Sequence, residues 1–351
     1  MMCESGSTRS GTLYGAVALL LLVPFIGAAQ TNNEYARAVV AFQAGDYAAA
    51  ADLFAKADTA SPGATDALIY QAKSLVHLQD FSSSESALRH YIARHADSDE
   101  ALYLLGFVLN RENKPKESLE IYTRAATLKT PTGDDLKIVG LDYVLLNDYA
   151  DAIKWLEKSV EVDPKNKDSW YYLGRAYYSR SQLPESRRAL LTALNLDPRD
   201  ARAENNLGLI LESEAKPEEA LVAYRKAMEW QAGTAHQSEQ PYLNLGSLLL
   251  ELDRASEAVA PLEKAVELGT NNASCHLKLG TAYLRTNRLP EAQRELEKAE
   301  RLEPENAAIH YQLARFYTQT HQMDKAKIEF QRTEELQSRA AKTRPLNPPE
   351  P

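Results

Sequence analysis

Gly106, Gly140, Gly174 and Gly208 stand at one constant interval without a slip. Four inserted residues, Ala235 to Ser238, interrupt the count, and Gly246 and Gly280 then resume the same interval. Extended outward, the frame lands on Ala38 and Ala72 on one side and on Ala314 on the other. A period of this length marks an array of one supersecondary unit whose copies must stack to bury their apolar faces. Such an array occupies nearly the whole chain and leaves little room for an unrelated catalytic domain.

Further columns keep the frame. Twelve residues after each small residue come Ala50, Ser84, Ser118, Ala152, Ser186, Ala220, Ala258, Ala292 and Ala326. Four residues on, the column turns large and apolar: Phe54, Leu88, Tyr122, Leu156, Leu190, Tyr224, Leu262, Leu296 and Phe330. Trp170, Leu173, Gly174 and Tyr177 fall at i, i+3, i+4 and i+7, one face of a helix, and Ser186, Leu190 and Ala193 make a matching face on a second helix. Small residues on both faces let two backbones approach, and the large ones fill the space between them. Turn signals such as "NDYADA" lie between the helices, and Pro164, Pro198 and Pro304 stop one helix before the next repeat begins.

The spacing therefore predicts an all-α fold of about nine helix-turn-helix repeats over residues 30–340. The repeats lie near 31–64, 65–98, 99–132, 133–166, 167–200, 201–234, 239–272, 273–306 and 307–340. The pattern resembles the tetratricopeptide repeat family, of an exported bacterial type. Trp170, Leu173, Gly174, Tyr177, Ser186, Leu190, Ala193 and Pro198 carry the match in the fifth repeat, and Leu279, Gly280, Tyr283, Ala292, Leu296, Ala299 and Pro304 carry it in the eighth. The resemblance implies a right-handed superhelical solenoid whose concave groove binds other polypeptides. Three departures stand out. Glu34 and Arg37 replace large apolar residues in the first repeat, which suits a frayed or capping unit. The sixth repeat has Ala232 in place of the closing proline, followed by the insertion, and Pro261 falls inside a helix of the seventh. Together these predict a bend or shifted packing near residues 232–262.

Residues 1–29 read as an export signal. Arg9 precedes an apolar run from Leu13 to Ile26, and Gly27, Ala28 and Ala29 supply a small-residue cleavage site. The run is short for a membrane span of ~20 residues, so the expected location is periplasmic or secreted, with an uncleaved N-terminal anchor as the alternative. Residues 341–351 carry four prolines among the last seven and read as an extended, disordered tail. Cys275 is the one cysteine beyond the signal, so no internal disulfide is available. A formal net charge of -9 disfavours nucleic acid as the main partner.

Catalytic constellations are missing from the sequence. None of the seven histidines forms a zinc-binding HExxH pair, and there is no nucleophile elbow, phosphate loop or dinucleotide fingerprint. His276 and His310 share the fourth position of their repeats with Trp170 and Tyr242 and read as packing residues. No catalytic residue, cofactor or metal is expected, and the chain reads as a non-enzyme.

In each first helix, positions 4, 7, 8 and 11 pack, while positions 2, 5, 9 and 12 turn away together. The resemblance places the groove on those positions. The candidate partner-binding residues are Lys73, Tyr103, Phe107, Lys137, Tyr171, Arg175, Tyr178 and Asn205. Aromatics, Arg and Asn suit an extended peptide: Arg grips a carboxylate, Asn pairs with backbone, and Tyr supplies rigid contact area. The expected function is a non-catalytic scaffold, a monomer, that holds a polypeptide or extended peptide and assembles or supports a cell-envelope complex. The alternative is an accessory module for envelope polysaccharide, with groove aromatics stacking on sugar rings.

Overall fold

The computed structural model describes residues 33–60 and 66–343; the segment read as a signal lies outside them. Among the described residues there are eighteen helices and no strand. In chain order they are α1 (Asn33–Gln43), α2 (Tyr47–Ala60), α3 (Ala67–His77), α4 (Phe81–Arg94), α5 (Asp99–Arg111) and α6 (Pro115–Leu128). Next come α7 (Gly133–Leu145), α8 (Tyr149–Val162), α9 (Lys167–Ser179), α10 (Leu183–Leu196), α11 (Ala201–Ser213) and α12 (Pro217–Gln231). The last six are α13 (Gln240–Glu251), α14 (Ala255–Leu268), α15 (Ala273–Arg285), α16 (Leu289–Leu302), α17 (Ala307–Gln319) and α18 (Met323–Thr343). α8, α10 and α16 end just before Pro164, Pro198 and Pro304, while Pro184 and Pro290 sit in the first turns of α10 and α16. α18 continues through Thr343, three residues into the segment expected to be extended.

The chain divides into two compact parts between His95 and Ala96. In the first part, Phe54 is fully buried between Tyr35 and Tyr70, with ring centroids 5.6 and 5.4 Å away. Ala38 is equally buried, so the first hairpin packs normally; Glu34 and Arg37, 3.5 Å apart, pair with one another on its surface.

The second part stacks seven hairpins, α5 to α18. Their close approach has a measurable cause. A Cβ built on Gly174 would lie 2.7 Å from Leu190 Cγ, and the same collision recurs between Gly140 and Leu156 and between Gly280 and Leu296. The small column is therefore a steric requirement of the large one. Where the neighbouring column is serine, its hydroxyl stitches the hairpin: Ser186 Oγ donates to Gly174 O at 2.7 Å. Each turn passes through one residue of positive φ, Ser181 in the fifth repeat and Ala215 in the sixth. Gln182 N–H then reaches Tyr177 O at 3.0 Å and Ser181 N–H reaches Tyr178 O at 2.9 Å, closing the helix in a Schellman motif.

The expected shift in packing shows at the insertion. α14 is one helix through Pro261, which sits on a half-exposed face, and Leu262 still seats against Gly246. The first helices of consecutive repeats touch at the other junctions of this part, but between α11 and α13 that contact is weaker. The loop between α12 and α13 is held from one side by the Gln231 amide, which donates to Ser238 O at 2.8 Å and accepts from Ser238 N–H at 3.0 Å. Among the described residues, part of the apolar column of the ninth repeat stays exposed. Phe330 is 38% exposed although Leu262 and Leu296 of the same column are fully buried, and Tyr311 beside it is exposed too. Elsewhere the next hairpin covers this column; the described residues end with α18.

Candidate partner-binding face

Because α5 touches α7, α7 touches α9 and α9 touches α11, positions 2, 5, 9 and 12 of these four helices form adjacent stripes. Lys73 belongs to the first compact part, where it sits 4.8 Å over the Tyr70 ring, and the structure does not join it to the other candidates. The remaining seven fall on the α5–α11 stripes, but they are not equally available.

Phe107, Tyr171 and Asn205 are buried, at 8%, 7% and 7% exposure, and so are not contact surface in this structure. Tyr171 and Asn205 are each engaged by a residue of the following repeat. The Tyr171 ring has the Arg202 guanidinium 4.6 Å from its centroid and Arg175 at 5.8 Å. Asn205 Oδ1 accepts from Asn244 Nδ2 at 3.0 Å, across the weakened α11–α13 junction. Phe107 is one of the buried residues of α5.

Tyr103 and Lys137 are half-buried and engaged. Tyr103 donates to Lys129 O at 2.5 Å; burial first, then the charges of Asp135 and Asp99, push its phenol up to about 12. Lys137 donates to Asp134 at 2.6 Å, and Asn166 donates to the same carboxylate oxygen at 2.7 Å. Burial raises the Asp134 pKa, but these bonds outweigh it and hold the carboxyl below its usual value. Tyr178 is half-buried, its hydroxyl 3.4 Å from Ser213 Oγ. Arg175 is the candidate that reaches solvent: it is exposed, and its ring contact with Tyr171 is unaccompanied by an ion pair among the described residues.

Position 2 contributes residues that the candidate set lacked. Asp200 caps α11, accepting from the backbone N–H of Arg202 at 2.9 Å, while its two oxygens take Arg202 Nε at 3.1 Å and a terminal nitrogen at 2.7 Å. The same terminal nitrogen reaches Asp168 of α9 at 2.7 Å. Burial opposes the charge of Arg202, but these bonds win and raise its pKa further. Asp134, Asp168 and Arg202 follow one another at the repeat interval, so the frame itself was the signal for this polar ladder. Its Arg202 lies over the Tyr171 ring, held by Asp168 and Asp200, and Arg175 stays exposed on the same ring. Such a site can grip a carboxylate and exclude water on one side. Among the described residues, one group could hold a metal, Glu300 with His310 and Glu329, and it lies away from these stripes on α16 to α18.

Comparison with known proteins follows the same frame. Family models described as TPR repeat match residues 140–180 and 174–213, and models described as tetratricopeptide repeat match 41–106, 201–234, 239–271 and 277–341. The chain belongs to the tetratricopeptide repeat family. Its fold class is the all-α solenoid of that family.

Among curated relatives of this tetratricopeptide repeat protein, BBSome complex member BBS4 of Xenopus tropicalis is 26% identical over 160 residues, 44% of this chain and 31% of that protein. The type IV pilus assembly protein PilF of Pseudomonas aeruginosa is 27% identical over 140 residues, 40% of this chain and 54% of that protein. The match therefore spans about a third to a half of those relatives' length. Among solved structures, a chain of the APC/C hetero-tetramer Cut9–Hcn1 superposes with a TM-score of 0.61 at 16% identity, covering 81% of this chain and 55% of that one. A tetratricopeptide repeat protein from Parabacteroides merdae gives 0.57 at 18% identity, covering 72% and 98%. At such identities the likeness is one of fold. Among the described residues, no helix is long and apolar enough to cross a membrane.

Proposed function

We propose that this tetratricopeptide repeat protein is a non-catalytic scaffold that binds an extended polypeptide along the first helices of its fourth to sixth repeats. The observation that carries the reading is Arg175: an exposed guanidinium with no carboxylate partner of its own among the described residues, standing on a stripe where Lys137 and Arg202 are both neutralised by aspartates. An unspent cation on a preorganised face suits a partner that brings a carboxylate, from an acidic side chain or a chain terminus. The saccharide alternative draws less support. Sugar recognition of that kind uses open aromatic faces, whereas Phe107 and Tyr171 are covered and the Tyr103 hydroxyl is already bonded.

We further propose that the protein is exported and works in envelope assembly. The leader-like residues 1–29 support the first point, and similarity to a type IV pilus assembly protein supports the second. The test is affinity capture from an envelope extract with the mature chain and with Arg175→Glu, bound proteins being identified by mass spectrometry. The expected result is a polypeptide retained by the parent chain and lost with the variant. Equal capture by both would overturn the assignment of the face, and N-terminal sequencing of the expressed chain checks removal of the leader.

A further inference from the structure

The fourth position of three repeats repeats one geometry. Trp170 Nε1 lies 2.9 Å from Pro164 O, His276 Nε2 3.0 Å from Thr270 O, and His310 Nε2 2.9 Å from Pro304 O, each carbonyl six residues earlier. An indole nitrogen can only donate, so this carbonyl is an acceptor built into the repeat, and the two imidazoles carry their proton on Nε2. Their Nδ1 atoms then face carboxylates: Glu295 Oε2 at 2.8 Å from His276 and Glu329 Oε2 at 2.7 Å from His310. Two acceptors at that separation need a shared positive centre, a proton or a metal ion.

The two repeats then diverge. In the eighth, Arg294 Nε donates to the other oxygen of Glu295 at 3.0 Å, and Val266 stands one repeat before Glu300. In the ninth, the counterpart of Arg294 is the exposed Ile328, and Glu300 replaces the valine. The cation has gone and a second carboxylate has arrived. One ligand atom each from Glu300, His310 and Glu329 now lies within 4.8 Å of the others. Among the described residues, neither Glu300 nor Glu329 pairs with a lysine or arginine, and His310 is buried.

We propose that Glu300, His310 and Glu329 bind a single divalent transition-metal ion of the zinc class. One imidazole and two carboxylates suit such an ion, with the fourth position open to water. The Pro304 carbonyl on Nε2 is the outer partner that metal-bound histidines require, fixing the tautomer and the ring. The ion would tie α16 of the eighth repeat to both helices of the ninth, securing the hairpin whose Phe330 is left uncovered.

The test is calorimetric titration of the chelator-stripped full chain with Zn2+. The expected result is saturable binding of one ion per chain, weakened at least about tenfold by Glu300→Val, the residue found in the seventh repeat at this position, and also by the size-conserving Glu300→Gln. Glu295→Gln, at the eighth-repeat pair, should leave the binding unchanged. Far-UV circular dichroism confirms that each variant is folded. Absence of saturable equimolar binding by the parent chain, or parent-like binding by both Glu300 variants, would overturn the site.

Discussion

The first helices of repeats four to six and of repeats seven and eight present the same positions and put them to different uses. In the later pair, Leu243, Leu250, Leu277 and Leu284 occupy positions 5 and 12, and all are buried in one apolar core reaching from Leu211 to Phe316. In the earlier set the corresponding face carries Lys137, Tyr171, Arg175, Tyr178 and Asn205, tied together by aspartates, an asparagine pair and guanidinium–ring contacts. Helical arithmetic says which residues share a face. Whether that face is core or surface depends on whether the neighbouring side chains can close over it: the leucines are all covered, whereas in the earlier set Tyr171 and Asn205 are covered, Lys137 and Tyr178 are half-buried and Arg175 stays exposed.

The contrast breaks most visibly if the apolar half is not core. Leu284 is 2% exposed within the eighth repeat. Leu284→Ala should cost about 3 kcal/mol, from lost transfer energy and the cavity left behind, read by denaturant unfolding. A loss below about 1 kcal/mol would show that repeats seven and eight carry a surface stripe after all.

A second, smaller effect sharpens the polar half. Asp142 of α7 is fully buried and receives Asn110 Nδ2 at 2.8 Å. Its other oxygen lies 2.5 Å from Ser118 Oγ, which also lies 2.9 Å from Gly106 O. A hydroxyl has one proton, and two acceptors compete for it; a protonated Asp142 donating to Ser118 resolves the conflict. Burial pushes the Asp142 carboxyl from 3.8 up to about 7, against the pull of Ser118 and Asn110. The folded state therefore binds this proton more tightly than the unfolded chain. Its stabilisation is complete below pH ~4 and is lost as pH rises through ~7. At ~1.4 kcal/mol for each pH unit between the unfolded and folded values, the loss between pH 5 and pH 8 is on the order of 2.5 kcal/mol. Asp142→Asn should flatten that slope in urea melts run across the range; an unchanged slope would remove Asp142 as its source.

The turn of the sixth repeat, at the border of the two halves, gives a smaller effect of opposite sign. Ala215 is held at φ 57°, where a side chain is strained. Ala215→Gly should stabilise by about 1 kcal/mol, since glycine adopts this region freely. A lower melting temperature would mean that backbone freedom in the unfolded chain outweighs the relief.

Most of the architecture was legible because it is periodic. The glycine column predicted the close approaches that Leu190 and Leu156 enforce, and the prolines marked helix ends. What stayed illegible depends on pairs outside the columns. Tyr171 is buried because Arg202, from the following repeat, lies over its ring. His276 and His310 read as packing residues, and they are buried, but each faces a glutamate 19 residues later in a column that elsewhere holds residues such as Ala189 and Ala223. The insertion and Pro261 together read as a bend or shifted packing near residues 232–262; the helix is continuous through Pro261 on a half-exposed face, and the weaker packing is between α11 and α13, which flank the insertion.

The smallest expected change in stability bears most on function. Arg175 is exposed, and its contact with Tyr171, at 5.8 Å, is the longer of the two guanidinium contacts on that ring. An exposed contact of this kind is worth about 0.5 kcal/mol, and Arg202 keeps the ring covered when Arg175 is gone. Arg175→Glu should therefore shift the unfolding free energy by no more than about 0.5 kcal/mol while abolishing capture of a carboxylate-bearing partner, since the new charge repels what the old one attracted. The two readouts separate the halves of the comparison: Leu284→Ala changes stability through packing, and Arg175→Glu changes binding with packing intact. A destabilisation above about 1 kcal/mol would place Arg175 among the residues that hold α9 against α11, and the fourth to sixth repeats would then have no exposed cation left over for a partner on this stripe.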